Sequence, residues 1–60
     1  MNIFIKLHYD GEPMYFNVKN INVFYQCSDS STHIYMSGDT DTFTVDESAE
    51  DIANALREAL

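Results

Sequence analysis

The chain predicts an α+β fold: a five-stranded antiparallel β-meander with one C-terminal helix packed on the inner face. Three features carry the prediction. Apolar residues recur with period two from Asn2 to about Val45, and the period becomes helical only near Ser48. Short turn signals divide the first stretch into five runs. Those turns keep one side-chain parity across all five, as a single sheet requires. The elements expected are strands at about 2–9, 13–18, 21–27, 32–37 and 42–46 and a helix at about 49–60, all in a single small domain, 1–60.

In the first strand Ile3, Ile5, Leu7 and Tyr9 alternate with Phe4, Lys6 and His8. Asp10-Gly11 follows, a strong hairpin signal because a type I′ turn needs positive φ at both central residues. A turn there sets Tyr9 opposite Glu12, Leu7 opposite Met14 and Ile5 opposite Phe16, so apolar meets apolar. Lys19-Asn20 as the next loop pairs Phe16 with Val23 and Met14 with Tyr25. A four-residue loop, Ser28 to Ser31, pairs Tyr25 with Ile34 and Val23 with Met36. Asp39-Thr40 beside Gly38 then pairs Met36 with Phe43 and Ile34 with Val45. Two inner rows result: Ile5, Phe16, Val23, Met36, Phe43 and Leu7, Met14, Tyr25, Ile34, Val45. Ser48 is placed to cap a helix whose stripe Ala49, Ile52, Ala53, Leu56, Leu60 covers them.

The same register leaves an outer row of Lys6, Tyr15, Phe24, Tyr35 and Thr44, with Phe4 and Met1 placed to enlarge it. Contiguous exposed aromatics mark an interaction surface. A 60-residue chain buries only about 60% of its unfolded surface, and chains of this size need a disulfide, a metal or self-association. One Cys closes no internal disulfide, and two His with one Cys make a poor structural zinc set. Self-association through Phe4, Lys6, Tyr15, Phe24 and Tyr35, as a homodimer or higher oligomer, is therefore expected. Phe24→Asp should then dissociate the oligomer.

Charge narrows the partners. Ten Asp and Glu against three Lys and Arg give a formal −7. Affinity for nucleic acid comes from cations releasing counterions, so direct nucleic-acid binding is disfavoured, as are anionic membranes. The acids Asp39, Asp41, Asp46, Glu47, Glu50 and Asp51 are instead candidates to meet a basic patch on another protein. No apolar run approaches the roughly 18 residues of a membrane helix, and the first strand alternates too early for a signal peptide, so a cytoplasmic location is expected.

Catalytic constellations are weak. Cys27 and His33 flank one hairpin but fall on opposite faces in this register, Cys27 inward and His33 outward, and a small buried Cys is the expectation. His8 and His33 share the outer face on strands one and four, too far apart for one metal. Asp39-Thr40-Asp41 opens like a calcium loop, but Phe43 and Thr44 break the pattern. Ser28 to Thr32 lacks the glycines of a phosphate cradle. No metal, no cofactor and no enzymatic activity are expected.

Several local words are similar to the small flagellar FlbD (SwrD) family: Gly11 in the first turn, Tyr15-Phe16-Asn17 ending the second strand, Ile21 leading the third, and above all Val45-Asp46-Glu47-Ser48-Ala49-Glu50-Asp51-Ile52, which resembles the family's Val-x-Glu-Ser-x-Glu-x-Val. The resemblance spans nearly the whole chain and implies a small, cytoplasmic, non-catalytic motility accessory acting through protein contacts. This chain departs from the family in its acidic last hairpin, Asp39 and Asp41, and in its aromatic third strand. From the residues themselves, the leading expectation is a non-enzymatic interaction module that self-associates and uses an acidic surface to bind or inhibit a partner protein. A scaffold carried by a phage or mobile element to block a host protein fits that acidity at least as well as the motility family does. The alternatives are the motility accessory, a small-ligand-binding oligomer in which Lys6 or Arg57 meets an anionic group, and an acidic mimic of nucleic acid.

Overall fold

The computed structural model describes residues 3–38, 40 and 42–60. Five antiparallel strands and one C-terminal helix follow one another as β1 (Phe4–Tyr9), β2 (Glu12–Asn17), β3 (Ile21–Ser28), β4 (Ser31–Met36), β5 (Thr42–Val45) and α1 (Ala49–Ala59), with a 3₁₀ turn at Val18–Asn20. The fold is α+β. The strands form a two-stranded sheet, β1-β2, and a three-stranded sheet, β3-β4-β5, in place of one five-stranded meander.

The first hairpin has the expected register: Tyr9 faces Glu12, Leu7 faces Met14 and Ile5 faces Phe16. Both turn residues have positive φ, Asp10 at 51° and Gly11 at 82°. Glycine takes that conformation without a Cβ penalty, and Asp is among the few other residues that tolerate it.

Between β2 and β3 the expected hairpin is replaced by a corner. The Asn17 side chain accepts a hydrogen bond from the Lys19 backbone N–H at 3.0 Å, which tightens Val18–Asn20 into a 3₁₀ turn. The chain thus leaves one sheet and starts the next. Val18 N–H donates back to the Ile3 carbonyl at 2.8 Å, and Ser37 N–H donates to Asn20 at 2.7 Å, so the corner is held from both sides. The sheets meet elsewhere: Asp46 N–H donates to the His8 carbonyl at 2.7 Å, laying the end of β5 beside β1.

The third and fourth hairpins depart from the sequence-derived register. Ser28 pairs with Ser31, leaving a two-residue loop of Asp29-Ser30, and irregularities lie between Ile21 and Val23 and between Gln26 and Ser28. Phe24 therefore faces Ile34 and Tyr25 faces His33. A slip of one residue moves every side chain to the other face. Phe24 turns inward, and Val23 and Tyr25 turn outward. In β4-β5, Ile34 faces Phe43 and Thr32 faces Val45, a shift of two from the expected pairs, which preserves parity.

The core is Ile5, Leu7, Phe16, Ile34, Val45, Ile52 and Ala59, with Met14, Val18, Ile21, Phe24, Met36, Phe43, Ala55 and Leu56 packed around it. Phe16 and Phe43 meet edge to face with ring centroids 5.7 Å apart, joining the sheets. The helix covers this inner face as expected. Ser48 caps it by accepting from the Asp51 backbone N–H at 3.0 Å, and Glu50 and Asp51 occupy its first turn, where the dipole favours negative charge. The buried stripe runs through Ile52 and Ala59, and Leu60, expected inside, is 85% exposed.

Candidate interaction surface

The surface that α1 does not cover on the three-stranded sheet is built from alternate residues of three strands. β3 contributes Val23 and Tyr25, β4 contributes His33 and Tyr35, and β5 contributes Thr42 and Thr44. Val23, Tyr25 and Tyr35 are 51%, 44% and 40% exposed, enough to place a contiguous apolar patch in water. The Tyr25 and Tyr35 rings are stacked at an interplanar angle of 24° with centroids 6.0 Å apart. The Tyr25 hydroxyl lies 3.2 Å from His33 Nδ1, and those two rings meet edge to face. Cross-strand packing of this kind presents aromatic area that is already ordered.

The two phenols are electrostatically linked. A hydrogen bond to Tyr35 raises Tyr25 above its ordinary range, with some desolvation adding to the effect. The same contact lowers Tyr35, helped by a hydrogen bond from Thr42. Charge on one ring is therefore felt by the other.

The residues expected to form one outer row are divided by the break between sheets. Phe4, Lys6 and Tyr15 are exposed on the β1-β2 hairpin, with Lys6 opposite Tyr15. Tyr35 is exposed on the second sheet. Phe24 is half-buried against the core, so it does not belong to the outer face, and its place is taken by Tyr25 and Val23. The signal that misleads is the run Val23-Phe24-Tyr25, three consecutive residues able to face either way. Cys27, expected inside, is exposed, its Sγ lying 3.0 Å from the Ser31 hydroxyl.

Among the expected acidic residues, Asp46 and Glu47 have their carboxylates engaged within the chain. Asp46 accepts from the backbone N–H groups of Asp10 and Gly11 at 3.1 and 2.9 Å, capping the first hairpin turn. Glu47 accepts from the His8 backbone N–H at 2.8 Å and lies 2.6 Å from His8 Nδ1, and its carbonyl accepts from the buried Thr32 hydroxyl at 2.7 Å. Gln26 completes the junction by accepting from the Ala49 N–H at 2.8 Å. Glu50 and Asp51 remain exposed on α1. Asp39 and Asp41 lie outside the described residues.

A shallow cleft of about 220 Å³ lies between the sheets, lined by Tyr9, Met14, Thr42, Phe43 and Thr44. Among the described residues, no group of three His, Cys, Asp or Glu stands close enough to hold a metal ion, and no helix is long and apolar enough to cross a membrane. Neither a protein-family model, nor a curated protein, nor a solved structure matches this chain.

Proposed function

We propose that this chain is a non-enzymatic protein-interaction module that self-associates and presents an acidic surface to a basic partner. The observation that carries this reading is the exposed face of Val23, Tyr25 and Tyr35, with the two tyrosine rings stacked, on the side of the sheet that α1 leaves open. Tyrosine is enriched in the buried centres of protein interfaces because it supplies large area at low entropic cost. Burial at this face supplies affinity. The exposed acids Glu50 and Asp51 supply on-rate and partner choice.

Sedimentation of a Tyr25→Ser/Tyr35→Ser variant tests the reading: it should be monomeric at concentrations where the parent associates, with its far-ultraviolet spectrum unchanged. A parent that is monomeric at every concentration, or a variant that associates as the parent does, overturns it.

The cleft between the sheets favours a second reading, binding of a small molecule on an apolar floor of Met14 and Phe43 with the hydroxyls of Tyr9, Thr42 and Thr44 at its lining. It requires a ligand-dependent rise in melting temperature of the isolated protein.

A further inference from the structure

The strand β3 is an edge of the three-stranded sheet, since among the described residues β4 alone pairs with it. At eight residues it is the longest strand, about 26 Å at roughly 3.3 Å per residue. Its sequence, Ile21-Asn22-Val23-Phe24-Tyr25-Gln26-Cys27-Ser28, contains no charge and no proline. A stretch of edge without lysine, proline, inward charge or bulge is a template for another strand. The irregularities at its two ends leave Val23 to Gln26 as its regular part.

We propose that β3 pairs antiparallel with β3 of a second copy of this chain, about a two-fold axis through Phe24, joining two three-stranded sheets into one of six. The inference rests on self-association of the chain but places this contact at the sheet edge, so that pairing extends the open tyrosine face and does not itself bury it. Side-chain parity limits the axis: the open faces of both copies fall on one side only when paired residue numbers sum to an even value. With Phe24 on the axis, Val23 of one copy stands opposite Tyr25 of the other, and the two tyrosine faces become continuous.

Charge selects the second copy and this register. The chain carries −7, so two copies approach most easily through an uncharged strand. The residues that flank β3 then complement one another. Lys19, in the turn before it, and Asp29, in the turn after it, are both exposed, and neither makes a salt bridge with a described residue. They are equidistant from Phe24 in sequence. Antiparallel pairing about Phe24 brings the turn that carries Lys19 of each copy to the same end of the joined strands as the turn that carries Asp29 of the other.

A charge-reversal experiment tests this in solution. Lys19→Glu and Asp29→Lys should each weaken the dimer about ten-fold, because each variant puts like charges at both ends of the ladder, and exposed pairs carry modest energies. The result for Asp29→Lys is the sharper, since that change brings the net charge from −7 towards neutrality and relieves general repulsion. An equimolar mixture of the two variants should form heterodimers as tight as the parent. In a mixed-label sample of the parent, cross-strand nuclear Overhauser contacts should link Val23 of one copy to Tyr25 of the other. A parent dimer whose affinity ignores both reversals, or which lacks those contacts, overturns the β3 pairing and leaves self-association standing. A parent that never dimerises overturns both.

Discussion

Glu47 grips His8 with both oxygens of its carboxylate: Oε1 accepts from the His8 backbone N–H at 2.8 Å, and Oε2 lies 2.6 Å from the imidazole Nδ1. The two residues are 39 positions apart. This contact and the neighbouring Asp46 cap fasten the first hairpin to the strand–helix junction. Glu47→Ala should cost about 1–2 kcal/mol, the value of losing a charged acceptor for a partly buried N–H together with the hydrogen-bond partner of the imidazole. Thermal unfolding checks it: a domain of this size should lose roughly 4–8 °C per kcal/mol. An unchanged midpoint would mean that water replaces the carboxylate without cost.

Asp46 is predicted to act as a turn cap. Its two oxygens separately accept the N–H groups of Asp10 and Gly11. Asp46→Asn keeps one acceptor oxygen and should lose about half of what Asp46→Ala loses, the latter about 1–2 kcal/mol. Urea midpoints for the pair decide it, and equal losses would remove the two-acceptor account.

Thr32 is fully buried, with its hydroxyl on the Glu47 carbonyl. Thr32→Val preserves shape and leaves that carbonyl without its donor, at a cost of about 1–3 kcal/mol. Thr32→Ser keeps the donor and loses a methyl group, about 1 kcal/mol. Serine should therefore be the milder change in denaturant unfolding, and the reverse order would show that packing outweighs the hydrogen bond.

Phe24→Asp is predicted to unfold the chain. The side chain packs against the core opposite Ile34, so a carboxylate there loses apolar burial and is partly desolvated, together about 2 kcal/mol or more. Circular dichroism should show lost strand signal in this variant and retained signal in Tyr25→Ser.

The tyrosine pair predicts an alkaline signature. Tyr35 is lowered and Tyr25 raised from the ordinary value of 10.0. The lowered Tyr35 favours the folded state once pH exceeds its folded value, fully so above 10.0, and that contribution is lost as pH falls back through the folded value. The raised Tyr25 contributes below 10.0 and loses its contribution as pH rises through its own higher value. Phenolate absorbance should resolve Tyr35 ionising before Tyr25. Tyr25→Phe should move the Tyr35 midpoint up towards the ordinary value, and an unmoved midpoint would dissolve the link.

Sequence alone determined the elements with local, unambiguous chemistry. Asp10-Gly11 admits one tight turn, and the strict alternation of Ile5, Leu7, Met14 and Phe16 allows one register around it. Ser48 followed by Glu50, Asp51 and a helical apolar stripe determined α1. Tertiary structure decided the rest. Val23-Phe24-Tyr25 is apolar at every position, so alternation cannot say which residue faces the core, and Ser28-Asp29-Ser30-Ser31 permits a loop of two residues or four. Packing settled both by placing Phe24 on Ile34, which sends Tyr25 to the open face. The roles of Asp46 and Glu47 were likewise invisible in a chain of acids, because their partners, the Asp10-Gly11 turn and His8, come within reach only when β5 lies down beside β1.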